Sequence, residues 1–382
     1  RLRLLAGRGG RDEASWNARV ALAERLGACV MSDLKTGAMF PTDHPAHAVP
    51  SFNQLGKAAR EILCEADVIL SLDWVDAGGA LKQAGSVGQV TAKTIGVSLD
   101  QMLHSGAGME YQVLPPMDVF MAASPDSVVA DLLEALGPGT KAPWRERAPA
   151  KRKDASGDAV TLELIAATLR GQFNDPDKVS FACLNRGWPV DIWPLRSGLA
   201  YLGKDGGGGL GSGPGLSVGA ALALSGMGRY AVSVLGDGDF CMGVTAIWTA
   251  VRHGIPLLVL IDNNRSYFND ELHQEHLAHE RHRPVENAWI GQQMLGPELD
   301  IPTLARGQGA KAFGQVTRLA DLPGLLDDDL HLIELVAYVE LHPGGLRPDG
   351  DAEVSRGGPH VTAVTVVHRA AGVPSPACSG WL

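Results

Sequence analysis

Short apolar runs alternate with helix-length stretches along most of this chain, and that alternation admits few architectures besides a parallel sheet with helices on its faces. It opens with Leu2–Ala6, a helix around Asp12–Leu26, a run at Cys29–Met31, a helix around Gln54–Glu65 and DVILSLD at 67–73. It continues through TIGVSLD at 94–100 and MDVFMA at 117–122 to a helix near Pro125–Leu136. There it stops. Residues 137–157 are rich in Pro, Gly and charge with no apolar period, which reads as an exposed linker. Beyond it the pattern resumes: a helix near Val160–Arg170, a strand at 178–184, a glycine block at 203–215 and a small-residue helix at Leu216–Met227. A strand at 230–239, a helix at Val244–His253, a strand at 256–264 and a polar helix from about Asp270 complete it. The expected fold is α/β, with two open, mostly parallel sheets flanked by helices. One domain spans 1–137, a linker 138–158 and a second domain 159–345.

With 382 residues, two domains is also the prior from length. Lys and Arg total 33 against 43 Asp and Glu, and a net charge of -10 offers no general attraction for nucleic acid or an anionic membrane surface. No apolar run is long enough to span a bilayer. Five scattered cysteines without a CxxC signal neither a disulfide framework nor a zinc site, and a reducing cytoplasm fits that usage. The chain opens without Met, as expected of a fragment or processed product.

Two consecutive strands end in polar sequence. VSVLGDGD stops at Gly236-Asp237-Gly238 and LLVLIDNN at Asn263-Asn264. Asp237 offers a carboxylate oxygen and Asn264 an amide oxygen, hard ligands suited to Mg²⁺, while Gly236 and Gly238 let backbone approach a phosphate. Alone, GDGD reads as a turn and NN as a helix cap. The spacing changes that: residues 239–262 give 24 intervening positions, filled by one helix and one strand.

This arrangement resembles the GDG(x24–27)NN motif of thiamine-diphosphate-dependent enzymes, in the acetolactate-synthase-like branch. The resemblance implies that Asp237 and Asn264 bind Mg²⁺, that the backbone carbonyl of Ser266 is the third protein ligand, and that the Gly238 and Asp239 N–H groups meet the diphosphate. The Gly-rich block at 201–224 resembles the start of the first helix of the same domain, which places Leu210, beside Gly211, under the thiazolium ring. LLAGRGG, LAERLGACVMSD and FPTDHPAH resemble the central, Rossmann-like domain of the family. FAD occurs in that domain in some relatives, but the residues here do not support it. The activity implied is carboligation or decarboxylation of a 2-oxo acid by a cytoplasmic homodimer or homotetramer. The acid that activates the pyrimidine belongs to a pyrimidine-binding domain that the resemblance does not cover, so no catalytic residue is assigned and residues 1–382 alone are expected to be inactive. The alternatives are a non-catalytic cofactor-binding subunit, or half of a split decarboxylase whose pyrimidine domain is a separate chain.

Asp239 stands where many members carry a small neutral residue, and a carboxylate there suits a diphosphate only if its N–H faces the phosphate. Gly7 and Gly9 would need a glycine at Asp12 to complete a dinucleotide fingerprint. Gly198–Lys204 imitates a phosphate loop, but Asp205 replaces its Ser/Thr. Asp43–His47 offers groups for a substrate, although a Pro- and His-rich surface loop is the commoner explanation. His273, His276, His279 and His282 drift around a helix at every third position, so a solvated helix is expected, not a metal site. ELVAYVELHPGG at 334–345 reads as a closing strand and turn. Residues 346–382 change character abruptly, and a frame shift near Pro343 or a divergent tail accounts for them equally.

Overall fold

The computed structural model describes residues 1–51, 55–100, 117–139, 161–185, 187–204, 209–312, 320 and 334–339. Most of the expected linker and the whole 346–382 tail lie outside them. The described residues form two compact units, the first of 1–139 with 187–204 and 209, the second of 161–185 with 210–339.

The first unit runs β1 (Leu2–Ala6), α1 (Glu13–Leu26), β2 (Cys29–Ser32), α2 (Lys57–Cys64), β3 (Val68–Leu72), α3 (Ala77–Ala84), β4 (Lys93–Val97), β5 (Val119–Met121) and α4 (Pro125–Leu136). Its sheet is parallel throughout, in the order β2-β1-β3-β4-β5. Successive strand residues point to opposite faces, and the core divides accordingly. Leu4, Leu70 and Leu72 pack with Leu22, Phe40 and Val128 on one face. Leu5 and Ile69 pack with Leu63, Trp74 and Ala80 on the other. Helix α1 starts where the Asp12 carboxylate accepts from the Ser15 N–H (2.9 Å) and ends at Gly27, whose left-handed φ of 60° a side chain would disfavour.

Residues 187–204, which the sequence places in the second domain, group with the first unit. They contain no helix or strand and are held as a strap by backbone and side-chain bonds. The Tyr201 hydroxyl donates to the Leu34 carbonyl (2.7 Å), the Leu195 N–H to Thr42 Oγ1 (2.9 Å) and the Lys204 N–H to the Lys35 carbonyl (2.8 Å). Trp188, Trp193, Leu195 and Tyr201 of this strap are buried.

The second unit comprises α5 (Leu162–Gln172), β6 (Val179–Cys183), α6 (Ser212–Ala223), β7 (Tyr230–Gly236), α7 (Asp237–Gly243), α8 (Thr245–His253), β8 (Leu257–Asp262), α9 (Phe268–Glu280), α10 (Ile301–Gly307) and β9 (Glu334–Val339). Its sheet, β6-β7-β8-β9, is again parallel. Every residue of β8 is buried, as an apolar strand covered on both faces requires. Helix α6 begins at Ser212, four residues before the expected Leu216, and the expected helix at 244–253 is preceded by the separate short α7.

Candidate functional site

Strands β7 and β8 pair in register from Val232↔Leu258 to Gly236↔Asp262, which sets their polar ends side by side. Asp237 opens α7 and is 3% exposed. Its Oδ1 accepts from the Gly238 N–H (2.8 Å), while its Oδ2 is buried with no hydrogen-bond partner. Burial pushes the Asp237 carboxyl up to about 6. A buried carboxylate oxygen left unmatched is costly, so this atom is suited to a ligand.

After β8 the chain folds back on its own amides. Asn263 Oδ1 accepts from the Arg265 N–H (2.9 Å) and Asn264 Oδ1 from the Ser266 N–H (3.0 Å), with Arg265 at a φ of 57°. Residues 292–294 cover this turn. The Tyr267 N–H donates to the Gln292 carbonyl (2.9 Å), the Met294 N–H donates to the Arg265 carbonyl (2.7 Å), and Ser266 bridges to Gln293. Gly238 matters for space, because a Cβ there would lie 2.3 Å from the Tyr267 ring. A small cavity at the strand ends is lined by Asp237, Asn263, Arg265, Met294, Glu298 and Ile301. Of the residues expected to bind metal, Asp237 lines it, and Asn264 and Ser266 belong to the turn beside it.

Asp262 is a functional candidate that the sequence reading passed over. It is buried, and that burial, followed by the charge of Asp237, drives its carboxyl well above the usual range. Its Oδ2 accepts from Asn185 Nδ2 at 2.5 Å, and its Oδ1 has no partner. The available signal was an acid closing an otherwise apolar strand.

At the other edge of the site, Leu210 is 50% exposed on the turn before α6, and Gly211 has a φ of 89°. Residues 205–208 of the glycine block lie outside the described residues. Asp239 has a second role that the sequence did not show. Its carboxylate turns to α6, with Oδ1 accepting from the Gly211 N–H (2.6 Å) and the Gly213 N–H (3.2 Å).

The remaining polar motifs have structural employment. In the loop after β1, the Gly7 N–H donates to the Leu72 carbonyl (2.9 Å), Arg8 N–H to the Asp73 carbonyl (3.0 Å) and Gly10 N–H to Asp126 Oδ2 (2.6 Å). These three donors are engaged within the protein. Asp43 pairs with Arg196 (2.8 Å), His44 approaches Glu24 (3.4 Å), and the buried His47 shares a hydrogen bond with Ser32 Oγ (2.9 Å). On α9, which buries no residue, His276 faces Glu280 (3.2 Å) and His279 faces Glu275 (3.8 Å). Among the described residues no three His, Cys, Asp or Glu side chains gather to hold a metal, and no helix is long and apolar enough to cross a membrane.

Residues 183–336 match the family profile described as "Thiamine pyrophosphate enzyme, C-terminal TPP binding domain". The chain is similar to the sulfoacetaldehyde acetyltransferase of Castellaniella defragrans, 27% identical over 284 residues, covering 66% of this chain and 47% of that protein. It is also similar to the sulfoacetaldehyde acetyltransferase of Alcaligenes xylosoxydans xylosoxydans, 26% identical over 294 residues with the same coverages. The chain thus spans about half the length of the curated relatives it matches. Among solved structures, the thiamine diphosphate-dependent 4-hydroxybenzoylformate decarboxylase of Rhodococcus jostii RHA1 superposes with a TM-score of 0.64 at 21% identity, covering 89% of this chain and 60% of that one. The benzoylformate decarboxylase of Polynucleobacter necessarius does so with 0.69 at 19%, covering 90% and 62%. At those identities the likeness concerns the fold.

Proposed function

Since the chain is a member of the thiamine-diphosphate-dependent enzyme family, we propose that the ends of β7 and β8 hold the diphosphate of that cofactor through Mg²⁺, in an enzyme that breaks or forms a carbon–carbon bond beside the carbonyl of a 2-oxo acid. The observation that carries this reading is the buried, unpartnered Oδ2 of Asp237 beside the Asn263–Asn264 turn. Mg²⁺ takes oxygen ligands and is bound through one or two carboxylates plus substrate phosphates. Asp237 supplies the carboxylate. Asn264 Oδ1 keeps a second lone pair beyond its bond to Ser266, and the Ser266 carbonyl completes the protein's share. Gly236 and Gly238 keep side chains away from the phosphate, and Leu210 supplies an apolar surface for the thiazolium ring. When bound, the cofactor supplies a carbanion-stabilising centre. The residues assigned here bind and orient it.

Decarboxylation and transfer to a second acceptor are the two reactions this reading covers. Calorimetric titration of Asp237→Ala and Asn264→Ala tests the site: each loses Mg²⁺-dependent thiamine diphosphate binding, and unchanged affinity would overturn the assignment. None of these residues is the acid that activates the pyrimidine ring. Residues 1–382 by themselves are therefore expected to turn over no 2-oxo acid, and decarboxylation by that purified chain would show that the acid lies within it.

A further inference from the structure

The start of a helix leaves backbone N–H groups without partners, and the residue before the helix commonly caps them with its side chain. For α6 that residue is Gly211, which has no side chain. The cap comes instead from Asp239, on the first turn of α7, whose Oδ1 accepts from both Gly211 and Gly213.

The surrounding glycines make room for this bond. A Cβ on Gly213 would lie 2.1 Å from Asp239 Oδ2 and 2.7 Å from Leu235 Cδ2. A Cβ on Gly211 would meet the Met242 Cβ at 2.9 Å, and one on Gly243 would meet the Gly211 carbonyl at 2.3 Å. Contacts below 3.0 Å force a shift of backbone or core, so the two helices interlock only with these residues absent of side chains. Asp239 is not among the residues lining the cavity at Asp237. Its charge is directed at two N–H donors, a charge-assisted arrangement stronger than a neutral hydrogen bond.

We propose that Asp239 is a positioning residue whose carboxylate, seated in the space that Gly213 leaves open, locks the Leu210–Gly211 turn onto α7 and so fixes Leu210 where the thiazolium ring is to rest. The lock deepens the cofactor reading given above and rests on it for the role of Leu210. The carboxylate, otherwise misplaced beside a diphosphate, is accommodated because the backbone of α6 takes it up.

Amide hydrogen exchange of the full-length protein, without cofactor, tests the lock directly, and thiamine diphosphate titration with Mg²⁺ tests its consequence. Asp239→Ala and Gly213→Ala each speed exchange across residues 209–215 about tenfold, leave exchange in β8 unchanged, and weaken cofactor affinity about tenfold. Asp239→Asn keeps an acceptor oxygen and stays within about threefold of the parent. The double variant Gly213→Ala/Asp239→Ala falls short of the product of the two single effects, because the added methyl enters the space the carboxylate has left and meets only Leu235 Cδ2, whereas unrelated residues would multiply their effects. Unchanged exchange at 209–215 in Asp239→Ala, or multiplied effects in the double variant, overturns the lock. Failure of the parent protein to bind thiamine diphosphate overturns the cofactor reading instead, a result the exchange measurement does not depend on.

Discussion

Gly7 shows how much a single residue can decide. A Cβ there would sit 2.1 Å from the Asp73 carbonyl oxygen, and Asp73 itself has a left-handed φ of 52°. Gly7→Ala must therefore part the ends of β1 and β3, at a cost of about 2–3 kcal/mol, seen as a lower urea midpoint with unchanged slope. An unshifted midpoint would mean the strand ends have slack. At this scale the sequence reveals residue identities but not partners. Asp237 and Asn264 stood out because type and spacing together suit a cation. Asp262 did not, since its partner Asn185 is remote in sequence and only the β6-β7-β8 order brings them together. The same holds for Asp239, whose acceptor role depends on where α6 begins.

Elements were legible wherever an apolar period was strong, as in β1, α1, β3, α4, β7 and β8. Helix α3 was missed because AGGALKQA carries two glycines, poor helix formers. It forms in context, with the Asp76 carboxylate accepting from the Gly79 N–H (2.8 Å) and Ala77, Ala80 and Ala84 packed in the core. The start of α6 was placed late because SGPG reads as a loop until Asp239 caps it. The junction of β4 and β5 carries a pH-dependent tie. Asp118 Oδ1 accepts from Lys93 (2.8 Å) and its Oδ2 from the Thr94 N–H (2.8 Å), which holds the carboxyl down at about 2 against the ordinary 3.8, with the Lys93 hydrogen bond the foremost cause. A depressed carboxyl contributes stability that is full above the ordinary value and fades as pH falls toward the folded one. The midpoint difference between parent and Asp118→Asn should shrink from pH 5 to pH 2; a constant difference would show that the ion pair contributes nothing measurable.

For the whole molecule, two α/β units were legible from the repeated pattern, but the strap was not. Residues 187–204 have no period of their own, and their destination is set by Tyr201, Leu195 and Lys204 finding backbone partners in the first unit. A fragment of residues 1–139 should therefore unfold at lower urea than the same fragment with 187–204 rejoined through a flexible linker, because the strap's buried aromatic residues add apolar area. Equal midpoints would show the strap to be dispensable. The order of the second sheet has a different consequence, for the chain as it is made. β8 delivers the Asn263–Asn264 turn, yet its outer neighbour β9 begins 72 positions after β8 ends (334 − 262). At a synthesis rate of about 5–20 residues per second, the outer edge of β8 waits roughly 4–14 s for its partner. A nascent chain paused in that interval presents an unpaired parallel edge to any other strand nearby, so the stretch that carries the Asn263–Asn264 turn is open to mispairing while it waits.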